Sequence, residues 1–374
     1  MPSSAFEPID LAIGQPMHPT PDLLTETLAA HGHLWRRYPP VLGTAEFRDA
    51  TRDWLTWRYK LPESFLAADE HLLPVAGTKE ALFMISQLVS PDQKNGAKPA
   101  VLMPNPFYNV YLGGALIAGA EPVLLPVSAA TNHLPDLDRL EPSLLDRTAA
   151  FFLCSPANPQ GSAADLAYLS KALRLARQHD FLLILDECYS EIYGAEAPVG
   201  GLEAAAALGD GLTNLLVCHS LSKRSNAAGL RSGFVAGDPG LIKGFAHLRN
   251  YAAAVQPLPV LAAATALWRD ESHVEENRRL YREKFDLADR VLSGQFDYVR
   301  PAGGFFLWLN VGDSEFITKK LWSEAALKVV PGAYLGRDDL SEGFNPGAHA
   351  IRVALVHDMA TTEQALTRLV ETLG

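Results

Sequence analysis

The sequence has little that would tie it to nucleic acid, metal or membrane. Basic charge is the scarcer sign: 32 Lys and Arg stand against 43 Asp and Glu, a formal net charge of −11 over 374 residues. No basic stripe stands out to meet phosphates, so no nucleic-acid partner is expected. An anionic substrate stays compatible, because a few arginines inside a cleft can reverse the local sign. Cysteine is scarce as well. Cys154, Cys188 and Cys218 are the only three, they lie far apart, and none forms a C-x-x-C pair. An odd, scattered set is a poor disulfide framework and a poor zinc framework, so buried reduced thiols and no metal site are expected. No uncharged apolar run approaches the roughly 20 residues needed to cross a bilayer. Residues 1–17 hold two acids and three prolines and no basic n-region. A secretory signal is therefore not expected there, and the chain reads as cytoplasmic and unanchored. There is no internal repeat and no low-complexity linker.

What is present is an ordinary globular composition, 48% hydrophobic and 20% charged, on a chain long enough for two domains. Residues 1–40 are broken by proline and read as an arm, with a short helix over 22–30. Residues 44–59 read as a helix with Thr44 placed to cap it. Apolar runs recur at 100–103, 121–127, 149–154, 181–185, 215–218 and 233–236. Several are apolar throughout, as strands are when helices cover both faces of a sheet. Between two of them, 165–179 carries Leu166, Leu169, Leu173 and Ala176 at helical spacing, with Ser162 and Asp165 resembling a capping box. The alternation predicts an α/β domain on a mostly parallel sheet, whose ligands collect at the carboxyl ends of strands. A charged helix from about 271 to 292 reads as the crossing into a smaller domain. The expected division is a large domain over 41–270, with 1–40 and 271–374 forming the arm and the small domain.

Five turns fall at or just past such strand ends. Gly77-Thr78-Lys79-Glu80 opens a helix, whose free N–H groups and dipole suit a phosphate. Pro104-Asn105-Pro106-Phe107-Tyr108 offers an aromatic ring. Ser155-Pro156-Ala157-Asn158-Pro159-Gln160-Gly161 is a rigid turn presenting an amide. Asp186, with Tyr189 after it, puts a carboxylate at the end of a buried strand, which is costly without a partner. Ser220-Leu221-Ser222-Lys223, with Arg231 eight residues beyond Lys223, puts a lysine beside hydroxyls and a guanidinium. A lysine for an aldehyde, a cup for a phosphate and a carboxylate for a ring nitrogen are what pyridoxal phosphate (PLP) chemistry requires.

These motifs, taken in order with Gly229 and Arg352, closely resemble the class I/II aminotransferases of PLP fold type I over nearly the whole chain. The resemblance implies a large domain with a mostly parallel seven-stranded sheet plus a smaller α+β domain. It implies Lys223 as the Schiff-base lysine and proton shuttle, Asp186 on the pyridine nitrogen, and Asn158 and Tyr189 on the phenolate oxygen. Tyr108 would stack on the ring. Gly77, Thr78, Lys79, Ser220, Ser222 and Arg231 would form the phosphate site. Arg352 and Asn158 would bind the substrate α-carboxylate near the Gly14 backbone. Tyr38 resembles the tyrosine that reaches the phosphate of the other subunit, which implies a homodimer.

Gln160 departs from the family's usual Thr in the N-P-T-G turn. S-L-S-K-R-S-N with G-L-R-S-G-F, and W-R-R-Y-P-P with Gly43-Thr44, resemble succinyldiaminopimelate transaminases of bacterial lysine synthesis. The expected reaction is amino transfer between N-succinyl-diaminopimelate and 2-oxoglutarate. The alternatives are an aromatic, methionine or branched-chain aminotransferase, or a PLP-dependent C–S lyase. An effector-binding regulator on this scaffold would need an added DNA-binding domain, for which the chain has neither room nor basic charge. Remote carboxylates on both substrates call for a second cation, with Arg36, Arg37 and Arg224 as candidates.

Overall fold

In the computed structural model, which describes residues 5–252, 254–338 and 343–374, the apolar runs become the middle of one sheet. Its strands are β1 (Leu72–Val75), β2 (Ala100–Asn105), β3 (Glu121–Pro126), β4 (Thr148–Cys154), β5 (Leu182–Asp186), β6 (Leu215–Ser220) and β7 (Gly233–Gly237). The spatial order is β1-β7-β6-β5-β4-β2-β3. Pairings from β6 through to β3 are parallel, and β7 runs antiparallel to both neighbours. This is the mostly parallel seven-stranded sheet expected.

The runs are apolar throughout because both faces are covered. Phe151, Leu153, Leu183, Leu185, Leu215 and Val217 enter one core. Their alternates Ala150, Phe152, Leu182, Ile184 and Leu216 enter another on the opposite face. Pro74 sits in β1, an edge strand, where a missing N–H disturbs the ladder least.

Helix α1 (Thr78–Val89) follows β1 and buries Ala81, Leu82 and Ile85. Helix α2 (Asn109–Ile117) follows β2. Helix α3 (Leu166–Gln178) follows β4 and buries Leu169, Leu173 and Ala176. Asp165 alone caps α3, accepting from the Tyr168 N–H at 2.7 Å. The capping box with Ser162 is not formed: the helix begins at Leu166, so Ser162 lies too far upstream. Thr44 does cap the helix Ala45–Arg58, accepting from the Phe47 N–H.

Helix α4 (Ser272–Leu292) runs from one body to the other. It places Asn277 against the Lys223 and Arg224 carbonyls and stacks Tyr281 on Phe305, with ring centroids 5.5 Å apart. Further along, Phe285, Ala288 and Leu292 enter the smaller core. That core lies on an antiparallel sheet of β8 (Phe306–Asn310), β9 (Val330–Pro331) and β10 (Ala350–Ala354), in the order β9-β10-β8. The arm touches both bodies. Ile9–Asp10 pairs with Leu327–Lys328 of the smaller one, while helix Asp22–Ala30 packs on Leu258–Arg269 of the larger.

Candidate active site

Parallel strands end together, so their terminal residues meet in register. Cys154 of β4, Asp186 of β5 and Cys218 of β6 are direct neighbours across the sheet. The Asp186 carboxylate is buried. Tyr111 donates its hydroxyl to Oδ2 at 2.8 Å, and the Cys188 N–H approaches Oδ1 at 3.4 Å. Among the described residues no lysine or arginine pairs with it. Burial pushes its pKa up, opposed by the hydrogen bonds from Cys188 and Tyr111. A buried carboxylate that borders a cavity without a cation of its own suits a protonated ring nitrogen.

Beside it, β6 ends at Ser220 and the chain makes one helical turn, Leu221–Arg224. Ser220 Oγ accepts from the Ser222 N–H at 3.1 Å and lies 2.9 Å from Ser222 Oγ. Lys223 Nζ donates to the Gly14 carbonyl and lies 5.3 Å from the Phe305 ring centroid. Burial pushes the amine down to about 8, with Cys188 and Asp186 acting against the shift and Arg352 and Arg231 with it. An amine so poised reaches its neutral, nucleophilic form far more readily than an exposed lysine.

Two elements make an anion cup. Helix α1 starts without a side-chain cap, which leaves its first N–H groups open. Gly77 before it has φ +82°, and a Cβ there would lie 2.3 Å from Arg231 Nη2. Only glycine fits between that helix start and the guanidinium. Arg231 takes a left-handed backbone, φ +55°, and is steadied through Nη1 on the Ala228 carbonyl at 2.8 Å. Thr78, Lys79, Ser220, Ser222 and Arg231 all line one cavity of about 670 Å³. Thr78 Oγ1 also lies 3.0 Å from Cys188 Sγ.

The smaller body contributes the other wall. Arg352 on β10 donates Nη1 to Asn158 Oδ1 at 2.9 Å and Nη2 to the Ala12 carbonyl at 2.9 Å. Its guanidinium lies 4.2 Å from the Phe306 ring centroid. Arginine only donates, so Asn158 turns its oxygen to Arg352 and keeps its NH₂ as a donor. Gly14, Asn158, Asp186, Lys223 and Arg352 border the same cavity. Tyr189 also lines it, edge-on to Phe305 and Phe306, and burial pushes its hydroxyl pKa well up. Tyr108 lines it too, edge-on to Tyr111 at 5.6 Å, its hydroxyl pushed up to about 12 by burial and then by Asp186.

Gly77, Tyr38, Arg36, Arg37 and Arg224, all read from sequence, are not part of the lining. Gly77 stands behind the wall as the spacer for Arg231. Tyr38 is fully exposed in the single chain. Arg36 and Arg37 are exposed outside the cavity. Arg224, a candidate for the second cation, requires a correction: it lies in the core, outside the cavity lining. Its side chain is 2% exposed, it pairs with Glu271 and donates to the Leu267 carbonyl at 2.8 Å, and it lies 4.7 Å from the Trp268 ring centroid. Consecutive residues of a helical turn point about 100° apart, so Lys223 facing the cavity sends Arg224 into the core. Sequence reasoning passed over Tyr111, Phe306 and Arg337. Tyr111 stands three residues after Tyr108, a spacing that would have marked a shared helix face had α2 been read.

The residues fit pyridoxal phosphate: a lysine of lowered pKa, an uncompensated buried carboxylate and an anion cup share one cavity. The comparisons agree. The family of class I and II aminotransferases matches residues 7–369. The chain is 32% identical over 331 residues to the 4-dedimethylamino-4-oxo-anhydrotetracycline transaminase of Streptomyces rimosus, covering 88% of this chain and 86% of that one. It is 29% identical over 377 residues to the LL-diaminopimelate aminotransferase of Desulforudis audaxviator, covering 98% and 90%. A crystal structure of an aminotransferase from Neisseria meningitidis superposes with a TM-score of 0.94 at 41% identity, covering 100% of this chain and 94% of that one. The chain belongs to the class I and II aminotransferases and is a pyridoxal phosphate-dependent transaminase.

Proposed function

We propose that the enzyme transfers the amino group of N-succinyl-diaminopimelate to 2-oxoglutarate. The observation that carries the reading is the pairing of Lys223 with Arg352 in one cavity: an amine for the Cα proton beside a cation for the α-carboxylate. Support for the substrate comes from the S-L-S-K-R-S-N and W-R-R-Y-P-P segments and from a relative named for LL-diaminopimelate. That substrate places the reaction in lysine biosynthesis, consistent with a cytoplasmic enzyme. Among the described residues no helix is long and apolar enough to cross a membrane.

In this reading Arg352 and Asn158 hold the α-carboxylate and so fix the Cα–H bond relative to Lys223. Lys223 Nζ, in its neutral form, is placed to accept the Cα proton and to hold it for return. Bound pyridoxal phosphate supplies the electron sink for the charge left at Cα. Asp186 would keep the ring nitrogen protonated, its burial strengthening that charge pair. Asn158 Nδ2 and the Tyr189 hydroxyl would hold the phenolate oxygen, and Tyr108 would cover the ring. Thr78, Lys79, Ser220, Ser222 and Arg231 would hold the phosphate, with Gly77 giving Arg231 its room. Exposed Tyr38 would serve the phosphate site of the other subunit in a homodimer.

The experiment is a panel of amino donors with 2-oxoglutarate, following glutamate. N-Succinyl-diaminopimelate is expected to give the highest kcat/KM. Aromatic, methionine or branched-chain donors in first place would overturn the substrate assignment and keep the transaminase. Ammonia and pyruvate from cysteine conjugates without an oxo acid would instead mark a C–S lyase.

A further inference from the structure

Among the described residues lining the cavity, one cation is assigned to neither the anion cup nor the α-carboxylate. Lys79 and Arg231 belong to the anion cup and Arg352 to Asn158, but Arg337 also lines the cavity. It lies between β9 and β10 of the smaller body, and its main chain is fastened to the turn after β2 of the larger one. The Phe107 N–H donates to the Leu335 carbonyl at 3.0 Å. Asn105 then takes residue 337 from both sides: its Oδ1 accepts the Arg337 N–H at 3.1 Å, and its Nδ2 donates to the Arg337 carbonyl at 2.9 Å. Asn105 is wholly buried. Gly336 is packed so closely that a Cβ would come within 2.4 Å of Asn345 Oδ1 and 3.0 Å of Asn105 Oδ1.

Its backbone is therefore fixed while its charged end is little used. Arg337 Nη1 donates to the Gly336 carbonyl at 3.0 Å, and the guanidinium stands 5.9 Å from the Phe107 ring centroid. It forms no ion pair with a carboxylate of the described residues. Asp338 follows it in the chain and is exposed; Glu315 nearby accepts from the Tyr334 hydroxyl at 3.3 Å. A held backbone with a guanidinium that no carboxylate of the described residues pairs is the arrangement for bidentate carboxylate binding at low ordering cost.

We propose that Arg337 binds the distal carboxylate of dicarboxylic substrates, as the second cation such substrates call for. This deepens the reading above and rests on it. One chain then holds a substrate at both ends, Arg352 at the α-carboxylate and Arg337 at the remote one. Asn105 acts as the positioning residue, setting where the Arg337 side chain begins.

The test compares half-reactions of the holoenzyme with L-glutamate and with L-norvaline, which has the same chain length and no distal carboxylate. Arg337→Met is expected to lower kcat/KM for glutamate on the order of 10- to 100-fold and to leave norvaline unchanged. Arg337→Lys should keep part of the difference, and Arg337→Glu should make norvaline the better substrate. Arg337 is exposed, so these variants are expected to fold. A second readout is calorimetric binding of glutarate against valerate to the same holoenzyme: the wild type prefers glutarate, and Arg337→Met removes the preference. An unchanged glutamate-to-norvaline ratio, or an unchanged glutarate preference, in Arg337→Met overturns the proposal. If the wild type transaminates neither amino acid, the substrate reading falls, and the glutarate comparison still decides the role of Arg337.

Discussion

The rim formed by Lys223, Asp186 and the anion cup is held by strand ends, whereas the lip carrying Arg337 is held by Asn105 and Phe107 reaching across from the other body. At the rim, seven paired strands fix where each turn begins, and register alone sets Asp186 between Cys154 and Cys218. At the lip, the chain between β9 and β10 takes its position from Asn105 and Phe107. A position determined by a whole sheet suits the part of the reaction common to every substrate. A position determined by a few loop contacts can change without disturbing the sheet, and it suits substrate choice.

Breaking the rim should cost the most. Lys223→Ala is expected to lower turnover on the order of 10⁴-fold for every amino donor alike, measured by glutamate formation. Asp186→Ala is expected to cost on the order of 10²- to 10³-fold while cofactor absorbance persists after gel filtration. Turnover near wild type in that variant would remove the ring-nitrogen role.

Arg224→Met sharpens the contrast from within the Lys223 turn. It removes a buried partner of Glu271 and the guanidinium beside Trp268, so it should destabilise the fold by about 2–3 kcal/mol, read as a lower midpoint in urea. KM for each amino donor should stay at the wild-type value; a donor-specific rise in KM would return Arg224 to the substrate site.

The smallest effect is one of pH. In cofactor-free protein, acylation of Lys223 should rise with pH through about 8. The sign follows from burial, which disfavours the ammonium and makes the neutral amine available at lower pH than in an exposed lysine. A midpoint near the ordinary lysine value of 10.5 would mean that Lys223 is not enclosed as described.

The same contrast explains what the sequence made legible. Strands β2 to β7 were readable because apolar runs covered on both faces have few other solutions, and the turns after them carry residues with strong chemical preferences. Lys223, Asp186, Asn158 and Arg352 could be placed in one cavity from their positions near strand ends and from the family resemblance. Helix Gly201–Leu208, with the sequence GLEAAAAL, has no polar face to give it a period, and α2 is interrupted by Gly113 and Gly114, so neither was read. Arg224 is a core residue and not the remote-carboxylate cation because a turn that sends Lys223 into the cavity sends the next residue to Trp54 and Trp268. Arg337 was missed because its position is set by Asn105, 232 residues earlier. No local pattern records a contact of that separation.

The most direct measurement is peptide mapping of the native holoenzyme after borohydride reduction. The account predicts a single modified peptide, with the cofactor fixed to Lys223. Fixation to a different lysine, or recovery of the whole cofactor unattached, would contradict it.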